Sequence, residues 1–177
     1  MWVADTTIQE LGDNFFDRQR PYIYLFLNDL QYTVWKWVQG REYRMIDRNM
    51  LMFANESFYI AFSNRDTDAM DDLWARNTEI TCIHPGWPAL EGREEVMTSW
   101  QTIMESENSP EVDIYNARAY ILGTTAFVVC YERVPGGVLV ATNTFVEEAG
   151  RVRMVHHQAT PCQTPPTPES APTENLQ

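Results

Sequence analysis

Three histidines are the side chains of this chain best suited to moving a proton near neutral pH, and all three fall at the ends of strand-like runs. His84 alternates with Ile80 and Cys82, so the apolar face of that run should carry it inward as a general base or acid. The alternative role is structural: a hydrogen bond to a backbone carbonyl that locks the following Pro85-Gly86 turn. His156 and His157 are adjacent on a strand and must point to opposite faces. Val152, Met154, His156 and Gln158 form the face expected to look inward, because Arg153 on the other would be costly to bury. His156 is therefore the expected catalytic partner, and a one-residue slip of register exchanges it for His157. Tyr131 can donate to a developing oxyanion. Trp87, Trp100, Tyr115 and Asn143 complete the expected ligand-binding lining, with His157 as the alternate.

Other chemistries find less support. Cys82, Cys130 and Cys162 are sparse and odd in number, and two of them lie in apolar runs, which reads as buried, inert thiols in a reducing compartment. Cys82, His84 and His156 could be imagined around zinc, but their spacing is not a zinc-ligand signature, so neither metal nor cofactor is expected. Asp113 and Glu132 lie in strands, yet both faces of the strand around Glu132 are partly apolar, and parity assigns no buried carboxylate. No phosphate loop, nucleophile elbow or dinucleotide fingerprint occurs.

The elements that must position these groups follow from pattern and composition. Of 177 residues, 25 are acidic and 13 basic, a net charge of −12, with only one lysine, Lys36, among the bases. That balance excludes a nucleic-acid or anionic-membrane partner. The most apolar run, residues 22–27, is far short of a membrane span, and the acidic N-terminal stretch is no secretory leader, so a cytoplasmic protein is expected. Three segments emerge: an extension over 1–50, a domain over 51–161, and a proline-rich tail over 162–177 expected to be disordered. In the extension Ile23, Leu27, Leu30, Val34 and Val38 suit a helical stripe, neighbouring residues suit a strand, and translation from Met45, Met50 or Met52 would remove most of it.

Within the domain, helical periodicity covers residues 53–63, Asp66 is a fitting N-cap for a second helix, and 92–105 returns to helical spacing. A strand over 79–84 ends at Pro85-Gly86, and strands over about 112–122, 125–134, 137–147 and 151–159 are joined by turn residues. Helices beside an antiparallel meander make an α+β domain.

This order resembles the SnoaL-like branch of the nuclear transport factor 2-like superfamily. The resemblance is carried by Asn55-Glu56-Ser57-Phe58-Tyr59, Ala69-Met70-Asp71-Asp72-Leu73-Trp74, Cys82-Ile83-His84-Pro85-Gly86-Trp87, Gly92-Arg93-Glu94-Glu95-Val96 and Val155-His156-His157-Gln158-Ala159. It implies a cone, a curved antiparallel sheet wrapped around N-terminal helices in a cystatin-like roll, with a pocket at the open end and frequent homodimerisation. Gln158 stands where the family pattern often continues with a third histidine. The functional expectation is binding of a small hydrophobic ligand, with proton transfer of isomerase, dehydratase or cyclase type. The competing expectation is a non-enzymatic dimerisation or adaptor domain whose cone is filled by its own side chains.

Overall fold

A computed structural model describes residues 46–169, together with the backbone of two short strands before them. The chain divides into two compact units between Arg44 and Met45. In the first, β1 (Lys36–Val38) pairs antiparallel with β2 (Arg41–Tyr43). Val38 thus belongs to a strand, and the remainder of the candidate helical stripe lies outside the described residues.

The second unit opens with α1 (Arg48–Asn64), whose N-cap Asp47 accepts from the Asn49 and Met50 amides at 2.8 and 3.3 Å. Arg65 closes it in the left-handed conformation, φ 55°. Helix α2 (Thr67–Leu73) is capped by Asp66, which accepts from the Ala69 amide at 2.9 Å. Helix α3 spans Gly92–Glu105. No helix among the described residues is long and apolar enough to cross a membrane.

Six strands form one curved sheet in the order β4-β3-β8-β7-β6-β5. Their spans are β3 Thr81–Ile83, β4 Leu90–Glu91, β5 Asp113–Leu122, β6 Thr125–Val134, β7 Gly137–Glu148 and β8 Arg151–Pro161. The four long strands make the expected antiparallel meander, but β3 runs parallel to β8, so the sheet is mixed. The two-residue β4 carries too little pattern to be read from sequence. Helix α1 lies across β5, β6 and β8. The core between them is built from large buried side chains such as Phe58, Trp74, Phe145, Met104 and Met154.

Two register shifts shape the sheet. One lies between Tyr115 and Arg118 of β5, where Asn116 has φ 51°. The other lies in β8: Thr144 pairs with His156 and Phe145 with Met154, leaving Val155 as an extra residue. Beyond β8 the proline-rich stretch, expected to be disordered, is held through residue 169. Asn116 donates to the Thr167 carbonyl at 2.9 Å and accepts from the Glu169 amide at 2.7 Å, and Arg118 pairs with Glu169. These polar ties supply the attachment that its apolar content lacks.

Arg93, in the first turn of α3, fixes the helices relative to one another. Its guanidinium donates to the carbonyls of Trp74 and Ala75 at 3.3 and 2.8 Å, to that of Asp71 at 2.7 Å, and to the Asp71 carboxylate. It thereby satisfies carbonyls left open at the end of α2. Lysine keeps the charge but not the fork. Arg93→Lys should lower unfolding free energy by about 1–3 kcal/mol in urea titration; an unchanged midpoint would show these bonds to be dispensable.

Candidate functional site

The inner face of the sheet brings side chains into rows. One row crosses from Cys82 of β3 through His157 of β8 and Asn143 of β7 to Val128 of β6. The second row along from it, past Cys130 and Ala141, places Glu132 of β6 between Ile114 of β5 and Leu139 of β7. Helices α1 and α3 close over these rows with Phe58, Tyr59, Phe62 and Trp100, leaving a cavity of about 180 Å³. The ionisable groups on its wall are His84 just after β3, His157 of β8, Glu132 of β6 and Tyr59 of α1.

His84 reaches the wall through a turn. The Trp87 amide donates to the His84 carbonyl at 2.9 Å, and Gly86 takes φ 80°, as the third position of a type II turn after proline requires. The turn seats the Trp87 ring edge-on to His84, 5.1 Å between centroids, and Trp87, 45% exposed, stands at the cavity mouth. Trp100 packs edge-on against the same imidazole at 4.6 Å. The Ser99 hydroxyl lies 2.7 Å from the Val96 carbonyl and 2.9 Å from His84 Nε2. The single hydroxyl proton of Ser99 goes to the carbonyl, so its oxygen accepts from His84 Nε2–H, which leaves the lone pair on His84 Nδ1. The Cys82 thiol, 3.9 Å from Nδ1, is too distant for a strong bond. Burial lowers the His84 pKa to about 4, so the ring is neutral near neutral pH.

His157 is 3% exposed, and burial, then the neighbouring histidines, lower its pKa to about 3. The two imidazoles face each other with centroids 6.4 Å apart. Glu132 is 5% exposed; burial raises its carboxyl pKa, opposed by the Tyr59 hydroxyl donating to Oε1 at 2.7 Å. Burial and Glu132 push the Tyr59 phenol well above its ordinary value. Neutral histidines and a carboxyl inclined to hold its proton, in an apolar wall, are the materials of acid–base chemistry.

Of the residues singled out by sequence, His84, His157, Trp87 and Trp100 meet at this cavity. His156 does not. The extra residue Val155 resets the parity of β8, so that Met154, His157 and Ala159 face inward and His156 faces outward, its Nδ1 2.7 Å from the Thr81 hydroxyl. Cys82, His84 and His156 therefore do not converge on one ion. Tyr131 and Tyr115 also lie away from the cavity: they stack on each other at 5.4 Å on the outer face, because the inner face of β6 is Ala126, Val128, Cys130 and Glu132. Asn143 is fully buried behind the wall rather than part of the lining. Burial, aided by Glu132, pushes the Cys82 thiol up to about 12, and burial does the same to Cys130, which disfavours the thiolate at both.

Sequence reasoning missed Tyr59, Asn55 and Ser99. A signal existed for Asn55, which shares the heptad-spaced stripe of α1 with Leu51, Phe58 and Phe62. A polar residue in such a stripe is buried and must be bonded.

Residues 52–162, which hold every wall residue of the cavity, match the SnoaL-like domain. The chain is 31% identical over 121 residues to the F-box protein SKIP8 of Arabidopsis thaliana, an alignment covering 67% of this chain and 52% of that protein. It thus spans about half the length of that curated relative. Among solved structures it is similar to an NTF2-like family protein of Streptomyces avermitilis named as a candidate dehydratase: TM-score 0.60, 29% identity, 66% of this chain and 96% of that one covered. A candidate calcium/calmodulin-dependent protein kinase type II association domain of Thiobacillus denitrificans gives TM-score 0.55 at 29% identity, with 62% and 93% covered. The chain belongs to the SnoaL-like domain family, within the nuclear transport factor 2-like superfamily.

Proposed function

We propose that this domain binds a small, neutral, largely apolar molecule in its cavity and transfers a proton on it, the chemistry of an isomerase, dehydratase or cyclase. The observation that carries this reading is the meeting of His84, held neutral, with the inward carboxyl of Glu132 in one apolar cavity. His84 Nδ1 takes a proton from the bound molecule, and the Glu132 carboxyl, whose burial favours its protonated form, returns one at a second position; the proton gained by His84 then passes back to Glu132 through solvent, so both groups are reset and no net proton is consumed. No arginine or lysine lines the cavity, which fits a neutral ligand rather than an anion. A cavity of about 180 Å³ suits a single ring with small substituents. The similarity to a candidate dehydratase supports the same class.

A second reading is non-enzymatic assembly, favoured by the similarity to a kinase association domain. In either reading the outer sheet face is the proposed homodimer contact, on the strength of the stacked pairs Tyr115–Tyr131 and Tyr120–Phe127 and the exposed Leu122. The buried free thiols support a reducing, cytoplasmic setting.

4-Hydroxycyclohexanone, which carries a hydroxyl donor as well as an enolisable carbonyl, tests the first reading in deuterated buffer. The full-length protein should accelerate exchange of the protons beside its carbonyl, and His84→Ala or Glu132→Gln should each cut that acceleration by at least about 100-fold. Exchange no faster than in buffer, from a protein that is a stable oligomer by native mass spectrometry, would favour assembly instead.

The protonation states have a stability signature. An unfolded histidine titrates near 6.5, whereas His84 and His157 titrate near 4 and 3 when folded. Between those values the unfolded chain binds more protons, so stability should fall as pH drops from about 6.5 toward about 3. The raised Glu132 pKa acts with the opposite sign. Urea midpoints should decline across that window, and His157→Gln should make the decline shallower; an identical slope in the variant would contradict a buried neutral His157.

A further inference from the structure

The cavity floor contains a chain of hydrogen bonds whose direction decides which nitrogen of His157 carries its proton. Asn143 and His157 are cross-strand partners in the inner row, and Asn143 Oδ1 lies 2.6 Å from His157 Nδ1. The Asn143 amide nitrogen has two other neighbours: Asn55 Oδ1 at 2.8 Å and the Tyr59 hydroxyl at 3.1 Å. Tyr59 donates its own proton to Glu132 Oε1, so its oxygen accepts from Asn143. Both N–H bonds of the amide are thereby engaged away from His157, and the carbonyl oxygen is what the imidazole meets.

We infer that Asn143, backed by Asn55, is a positioning residue that fixes His157 in its Nδ1–H form and leaves the Nε2 lone pair to the cavity. The inference deepens the acid–base reading above and rests on it. Phe58 and Trp100, with ring centroids 5.2 and 5.3 Å from that of His157, hold the imidazole plane. With His84 Nδ1 also unprotonated, the two facing histidines each present an acceptor. The bound molecule is then one that brings a hydrogen-bond donor, a hydroxyl or an enol, to the histidine end of the cavity. Asn55 and Asn143, 1% and 0% exposed, touch nothing that enters the cavity; they act through the ring.

Nitrogen-edited NMR of the full-length, histidine-labelled protein at neutral pH tests this directly. The expected spectrum has a pyrrole-like Nδ1 and a pyridine-like Nε2 at His157; a pyrrole-like Nε2 overturns the assignment, because the amide would then be turned round. Asn143→Leu should give a mixture of both forms, and Asn143→Asp should restore the Nδ1–H form while raising the pKa of His157. A folded Asn143→Leu that keeps the pure Nδ1–H form also overturns it, and if that variant does not fold the unmodified spectrum decides alone. Phenol should bind about tenfold more tightly than anisole, the difference of one hydrogen bond, and should shift Nε2. Equal binding of the two would contradict the donor selection. Absence of binding by both would count against the small-molecule reading itself and leave the tautomer result standing, so the two failures are distinguishable.

Discussion

The placement of the central strand is the constraint on which the site depends. β8 is paired on both sides, parallel to β3 and antiparallel to β7, and it must bury Met154 beside Trp74 while setting His157 over Asn143. Those two residues are an odd number of positions apart, and a regular strand would turn one of them outward. The unpaired Val155 absorbs the mismatch. Without it, either the methionine leaves the core or the imidazole leaves the cavity. Bulges beside functional sites re-aim side chains in this way.

Around that bulge the domain accommodates a cluster of buried polar groups by pairing them. Asn55, Asn143, His157, Tyr59 and Glu132 are each nearly inaccessible, yet every one has a bonded partner. A polar cluster of this kind stabilises only when complete, since an unpaired member would carry its full desolvation cost. Its members come from α1, β6, β7 and β8, so it also fixes how the helix sits on the sheet. The same burial holds the histidines neutral. Packing and protonation are here consequences of one arrangement.

Much of the fold was legible because its signals are local. Asp66 as a cap, residues 92–105 as a helix and the hairpin turns of the meander were read from patterns lying within a few residues of each other. The inward turn of Cys82 and His84 also followed from simple alternation. What stayed hidden was non-local. The parallel pairing of β3 with β8 joins residues some 75 positions apart. The Val155 bulge arises from demands on both flanks of the strand, so alternation alone pointed to His156. Glu132 lies in a strand with apolar residues on both faces, and only its neighbours β5 and β7 decide which face the helices cover. Tyr115 and Tyr131 were drawn to the cavity by residue type, whereas their facing is set by register.

The attachment of residues 162–169 bears on how the domain would respond to tension. β8 is an interior strand, but the chain leaving it is tied at Asn116 and Arg118 to β5, the far edge of the sheet. A pull on the C-terminus therefore loads a few exposed polar bonds first, one after another, as tape lifts from a surface. The β7–β8 ladder bears the load only after those have parted. Whatever follows this domain in a longer chain can thus move through a short, soft extension before the cavity is disturbed.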